Sequence, residues 1–445
     1  DGHGTGLAAW RVPVEDLAPG IHHVRTEETA AAAAVIAAPR QVPVRPGRGR
    51  QWGVFAPLHA VRDRRHGPIG DLTTLGELAD WAGGRGADWV ATLPLLACSY
   101  REPVDPSPYR PLSRLAWNEV FLDPARLPEL GEEEVLPAPL DPTTVDWALV
   151  AAEVHGLLTR AVDRLGDRRR AELDAFLAER PELAGYARFR GDGVPAVERL
   201  HAYAQWMLEE QLSSLATDLD ASDRALYLDL PLGVHPDGYD AAAHPEAFAA
   251  GASVGAPPDG FFGEGQDWGF APTHPEGART GGHPYLRACL AHHLRVARML
   301  RLDHVMGLHR LWWIPAGADA RDGAYVHYRA EEQYALLCLE AARHGAEIVG
   351  ENLGTVPPEV DAAMQAHGLV GMWPLQLAVP AGDASPPPGS LATLNTHDMA
   401  PFAAFWAEGG EPVGAVAASL GVPAAIGGRP DESAASADTR IRKVP

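Results

Sequence analysis

Arg301-Leu302-Asp303-His304, Gly350-Glu351-Asn352-Leu353-Gly354 and Asn395-Thr396-His397-Asp398 decide how this chain is read. Each places a carboxylate just after a short apolar run. Leu300 and Leu302 precede Asp303, Ile348 and Val349 precede Glu351, and Leu391 and Leu394 precede Asp398. Apolar runs of this length, separated by helix-length stretches, are the pattern of parallel strands buried on both faces. In a β/α barrel the C-terminal strand ends converge on one site. Three acids distant in sequence are therefore expected to meet in one cleft.

Working outward, the same alternation begins at Gln51. Val54–Leu58 and Trp89–Leu95 read as strands, with a helix over Leu72–Trp81 between them. Leu226–Leu230, Met299–Leu302, Ile348–Val349, Val370–Leu375 and Leu391–Leu394 continue the series. The expected fold is α/β, a (β/α)8 TIM-type barrel. It carries a mainly helical insertion at about residues 100–225, where Val150, Val154, Leu157, Leu158, Ala161 and Leu165 follow helical spacing, as do Ala204, Leu208, Leu212 and Leu215. Residues 1–45 read as the remnant of an N-terminal β module, 46–406 as the barrel, and 407–445 as a tail poor in apolar periodicity, with Asp431–Asp438 disordered in composition. Seven strands can be read, one short of closure. The first and seventh are expected to show an unpaired edge, because closure needs a last strand paired with the first.

Composition excludes several classes of function. The formal charge of −22 over 445 residues argues against a nucleic-acid or anionic-membrane surface. Lys443 is the only lysine, so phosphate-loop, kinase-type and Schiff-base lysines are excluded. Cys98, Cys289 and Cys338 are odd in number and widely spaced, which suits a reducing cytoplasm. No HExxH zinc signature occurs, and Gly4-Thr-Gly6-Leu-Ala-Ala9 lacks the preceding strand that a dinucleotide loop requires. No apolar run approaches the roughly 20 residues that span a bilayer, and no signal-peptide pattern is present.

Carboxylates placed this way suit retaining glycoside chemistry, which needs a nucleophilic carboxylate and a second carboxyl acting as acid and then base. A third can hold ring hydroxyls. Asp303, Glu351 and Asp398 can fill these roles. Arg301, two residues before Asp303, can point to the same side of a strand and keep that carboxylate ionised. Trp268, Phe270, Phe261, Phe262 and Tyr109 lie in Gly/Pro-rich stretches and could face sugar rings or fill the core. Gln266, Asp259 and His397 could bind hydroxyls, while Trp312 and Trp313 fit core packing better.

Together these stretches resemble the 4-α-glucanotransferases, the amylomaltase or disproportionating-enzyme family of the α-amylase clan, over about residues 50–406. The resemblance rests on Ser107-Pro-Tyr-Arg-Pro-Leu-Ser-Arg114, Asp229-Leu-Pro-Leu-Gly-Val234, Gly255-Ala-Pro-Pro-Asp259, Gly265-Gln-Asp-Trp-Gly269, Arg301 through Pro315, Gly323 through Tyr328, Gly350 through Pro357 and Asn395 through Asp398. It implies Asp303 as nucleophile, Glu351 as acid/base and Asp398 as transition-state stabiliser. It further implies Arg301 and His397 in the reacting subsite, Tyr109, Asp259, Gln266 and Trp268 along the glucan path, Asp229 near the acceptor side, and Asn395 among the substrate-binding residues. No metal or organic cofactor is implied, and the partner is a maltodextrin donor and acceptor.

Two departures stand out. The family usually has Glu-Asp-Leu-Gly where this chain has Glu351-Asn352-Leu353-Gly354, so a charge is lost beside Glu351 and a changed working pH is expected. The family's last strand and C-terminal motif are not readable after Asp398, which reads as a fragment or a shortened member. Two alternatives to transfer therefore stand. One is an α-1,4-glucan hydrolase using the same residues, and the other is a non-catalytic, incomplete barrel that binds glucan.

Overall fold

The computed structural model describes residues 17–25, 32–44, 49–61, 67–101, 103–131, 144–260, 262–378, 385–408 and 440–443. Seven strands run parallel around a barrel: β1 (Gln51–Phe55), β2 (Trp89–Ala91), β3 (Ala225–Leu230), β4 (Met299–Leu302), β5 (Glu347–Gly350), β6 (Val370–Pro374) and β7 (Ser390–Thr393). All seven coincide with apolar runs read from sequence. β1 starts earlier than expected, and Leu58 falls in a 3-10 turn instead.

The expected open edge is overturned. An eighth strand, β8 (Arg440–Lys443), closes the barrel and runs antiparallel to both neighbours. Leu391 and Ala392 of β7 pair with Lys443 and Arg442, while Gln51–Val54 of β1 pair with Lys443–Arg440. Sequence could not reveal this strand, because Arg-Ile-Arg-Lys offers one apolar residue and no run. An antiparallel strand also needs no crossover helix, the other signal of a barrel unit. The proposed disordered stretch Asp431–Asp438, the Gly4–Ala9 motif and Phe261 lie outside the described residues.

Strand parity sorts the core. Trp89, Ala91, Ala225, Tyr227, Met299, Val349 and Leu391 cluster inside the barrel. Their neighbours Val90, Leu226, Leu228, Leu230, Leu300, Leu302 and Ile348 join the larger core beneath the helices. Side chains alternate faces along a strand, so Asp229 follows Tyr227 inward and Arg301 follows Met299 inward. Cross-strand register places Asp229 opposite Arg301, and Val349 opposite Arg301 on the other side.

Between β2 and β3 come helices Trp147–Asp163, Asp167–Glu179, Pro181–Gly191 and Pro195–Ala221. Asp146 caps the first, accepting from the Leu149 N–H at 3.0 Å. The last helix pins the irregular segment before it. Gln205 exchanges hydrogen bonds of 2.9 and 2.8 Å with the Trp117 backbone, and Gln211 exchanges bonds of 2.9 and 3.0 Å with Asp123. Such bonds satisfy buried backbone that has no ladder of its own.

A four-stranded antiparallel sheet made of Ala252–Ala256, Gln266–Asp267, Arg310–Pro315 and Ala324–His327 lies between β3 and β5 in the chain and was not read from sequence. Val254, Phe270 and Leu311 form its buried centre, with Trp268 and Trp313 packed against them.

Candidate active site

Arg301 is the hub of the barrel mouth. Buried on β4, its Nη1 donates to both Asp229 oxygens at 2.7 Å, and its Nη2 lies 3.2 Å from Asp303 Oδ1 and 3.2 Å from Glu351 Oε1. Sharing one nitrogen, those two oxygens can be no more than twice that distance apart. This range includes the about 5–5.5 Å carboxyl spacing of retaining glycoside chemistry.

Backbone donors fix the remaining oxygens. The His304 N–H donates to Glu351 Oε2 at 2.7 Å, and the Leu232 N–H to Asp303 Oδ2 at 3.2 Å. His304 can present its N–H there because it takes a left-handed backbone, with φ of 50°. Glu351 is tied through its own backbone to Leu302 and Val305. None of these donors has a periodicity signal, so sequence reasoning missed them.

Burial pushes the Glu351 carboxyl up to about 7; Arg301 opposes this, and the Asp303 charge adds to it. Burial also raises Asp229, against the pull of Arg301. The His304 imidazole is pushed down to about 4 by burial. These directions leave Glu351 able to carry a proton near neutrality.

The irregular segment delivers Tyr109. Ser113 and the Arg114 N–H bind Asp240 at 2.6 and 2.7 Å, and the Arg114 guanidinium reaches the Pro231 and Leu232 carbonyls beyond β3. Thus held, the Tyr109 hydroxyl donates to Asp229 Oδ2 at 2.7 Å and lies 3.1 Å from His397 Nδ1. The two rings stack with centroids 4.0 Å apart.

Tyr109, Asp229, Arg301, Asn395 and His397 line one cavity of about 50 Å³ at the barrel mouth, with Tyr227 and Met372 also in its wall. Asp303 and His304 border a second, of about 90 Å³. Asp398 follows His397, is exposed, and accepts a short hydrogen bond from the Thr396 hydroxyl. The charges of Arg301, Asp229, Asp398 and Asp303 all reach His397. Among the described residues no hydrogen bond or ion pair joins Asp398 to Asp303 or Glu351. Asn395 donates to the Ala400 carbonyl at 3.2 Å.

The remaining candidates lie further out. Trp268 meets the His304 ring edge-on at 5.2 Å, and its indole N–H donates to Gln266 at 3.3 Å. Asp259 lies in an exposed turn, where it accepts from the Phe262 N–H at 2.7 Å. Phe270 is buried against Gly233, so it fills the core; Phe262 is exposed.

Among the described residues one group has the donor set of a metal site: Glu119, His155 and His201. His201 and His155 already hydrogen-bond the two Glu119 oxygens, at 2.5 and 3.0 Å. Burial raises that carboxyl, but His201, His155 and the buried Arg190 together hold it well below its usual range. With its charge thus met and a guanidinium beside it, the group fits a buried hydrogen-bonded triad better than a cation site.

Seven parallel strands closed by one antiparallel strand, with titratable groups gathered at the C-terminal ends of adjacent parallel strands, define a β/α-barrel type of site. The chain belongs to the 4-alpha-glucanotransferase family, whose model matches residues 56–191 and 195–441. It is 34% identical to a 4-alpha-glucanotransferase of Mycobacterium tuberculosis, over 92% of this chain and 65% of that protein. It is 29% identical to one of Haemophilus influenzae, over 80% of this chain and 60% of that protein. The crystal structure of amylomaltase from Corynebacterium glutamicum superposes with a TM-score of 0.78 at 27% identity, covering 93% of this chain and 64% of that one. Amylomaltase from Streptococcus agalactiae in complex with acarbose shares the fold, with a TM-score of 0.74 at 19% identity and coverage of 83% and 84%. The chain thus spans somewhat under two thirds of the length of these curated relatives.

Proposed function

We propose that this chain moves α-1,4-glucan segments between maltodextrins by a retaining double displacement. The observation that carries the reading is the sharing of Arg301 Nη2 by Asp303 and Glu351, with burial pushing the Glu351 carboxyl up to about 7. Glu351 protonates the leaving 4-oxygen while Asp303 attacks the anomeric carbon, and the C–O bond to the leaving glucan breaks. A covalent glucosyl-enzyme forms with inverted configuration. Glu351, now a carboxylate, takes the proton of an acceptor 4-hydroxyl, whose oxygen displaces Asp303 and restores the starting configuration. Asp398 holds ring hydroxyls and favours distortion toward the transition state. Arg301 and His397 complete the reacting subsite, and Tyr109, Asp229, Asn395, Gln266, Trp268 and Asp259 serve the glucan path.

We read the work as cytoplasmic, in keeping with three cysteines that are all free and buried. No helix of the described residues is long and apolar enough to cross a membrane. Incubation with maltotriose followed by product separation tests the reading. Glucose with longer maltodextrins is the expected result; glucose and maltose alone would mean a hydrolase, and no change would mean a binding barrel.

A further inference from the structure

Glu351 is followed by a residue whose side chain does unusual work. The β5–β6 ladder ends at Gly350 opposite Gly371. Beyond it, the Asn352 side chain supplies one more rung: its Oδ1 accepts from the Met372 N–H at 2.9 Å. Its Nδ2 donates to Asp361 Oδ1 at 2.8 Å, on the helix Pro358–His367 that connects β5 to β6. The amide lies against Gly371, where an added Cβ would come within 3.1 Å of Asn352 Nδ2. One side chain therefore ties the Glu351 turn to a neighbouring strand and to its covering helix. Met372, held by that rung, is itself a wall of the cavity that Asp229 and Arg301 line.

We propose that Asn352, paired with Asp361, is a positioning residue for Glu351, fixing the backbone from which that carboxyl reaches Arg301 and the His304 N–H. The inference rests on the reading of Glu351 as acid/base. Asn352 acts through placement and not through charge. The groups facing the Glu351 carboxyl are Arg301 and Asp303 from β4 and its turn, the His304 N–H, and Asp229 from β3. The charge lost relative to the family's usual acid is therefore directed away, toward Asp361. An acid at position 352 would meet that carboxylate, whereas the amide bonds it.

The test uses the full chain and maltotriose turnover across pH 5–9. It compares wild type with Asn352→Ala, Asn352→Asp and the double variant Asn352→Asp/Asp361→Asn, with Glu351→Gln as reference. Asn352→Ala is expected to lower kcat by about 10- to 100-fold, the cost of a displacement near an ångström, with KM within about twofold. Its alkaline limb should move to lower pH as the carboxyl gains solvent. Asn352→Asp should lose less, since Asp361 is exposed and the repulsion is screened. The double variant keeps the Met372 N–H bond as it is and exchanges donor and acceptor in the bond between positions 352 and 361, so it should recover most of that loss. Wild-type kcat and limb in Asn352→Ala, beside an inactive Glu351→Gln, would overturn the positioning role. An active Glu351→Gln would overturn the acid/base reading and the inference with it. Should Asn352→Ala fail to fold, the swap decides: no recovery in the double variant overturns the pairing.

Discussion

The two sides of the barrel mouth are held in different ways. On one side, β3, β4 and β5 are adjacent, fully buried strands, and Asp229, Arg301 and Glu351 are joined across them by one guanidinium. On the other, Asn395–Asp398 follows β7, and its acids and amides are satisfied mainly by near neighbours: Thr396 for Asp398 and Ala400 for Asn395. Among the described residues, the Tyr109–His397 stack and hydrogen bond reach across the mouth. The first side is built of long-range, desolvated charge pairs, whose loss strands a buried partner. The second is built of exposed local bonds that water can replace. Fold and chemistry are thus inseparable on one side and separable on the other.

The largest effect should come from Asp303→Asn. An amide keeps the shape but cannot act as an anionic nucleophile, so maltotriose turnover should fall at least about 1000-fold with the far-UV circular dichroism unchanged. Wild-type turnover in a folded variant would falsify its assigned role. Next comes Arg301→Ala, which leaves Asp229, Asp303 and Glu351 without their shared cation. Urea melts should show a loss of about 3–5 kcal/mol; a loss below that of an ordinary surface substitution would erase the contrast between the two sides.

A third effect depends on pH. The Glu351 carboxyl stands at about 7 in the folded chain against an ordinary value of 4.5. Between those values the folded state keeps a proton that the unfolded state has released, so stability should fall as pH rises through that window. Turnover, needing the acid form, should fall as pH rises through about 7. Glu351→Gln should remove this part of the stability slope, measured by urea melts at both ends of the window; an unchanged slope would count against the burial of that carboxyl. The smallest structural effect belongs to Asp398→Asn. Its stability should stay within about 0.5 kcal/mol of wild type even as turnover drops. A melting loss matching that of Arg301→Ala would show the two sides to be equally tied.

This contrast also explains what could be read from sequence. β3, β4 and β5 carry their acids after runs buried on both faces, so the pattern of apolar runs was enough to mark Asp303 and Glu351 as candidates. Asp398 was found the same way, but its looser setting could not be inferred from a run of apolar residues. The Tyr109–Asp229 bond joins residues far apart in the chain and depends on an irregular segment pinned by Gln205 and Gln211, which no local pattern marks. The small antiparallel sheet escaped because its short strands are bounded by glycines and loops. β8 escaped because a charged antiparallel segment lacks both signals that revealed its seven neighbours. The amide of Asn352 was read as a missing charge beside Glu351, whereas its hydrogen bonds point to the other side of the turn.

One guanidinium serving three carboxyl groups has an electrical consequence. Among the described residues, Arg301 is the one basic side chain in ion-pair contact with Asp229, Asp303 and Glu351. Three carboxyl groups then face one base, so acids outnumber bases at the barrel mouth. A neutral sugar, the proposed substrate, would gain little from that excess of acids at rest. In the proposed transfer the ring carbon would become electron-poor on the way to cleavage and be drawn to those acids, so the resting imbalance would act as a reserve drawn on only while bonds are changing.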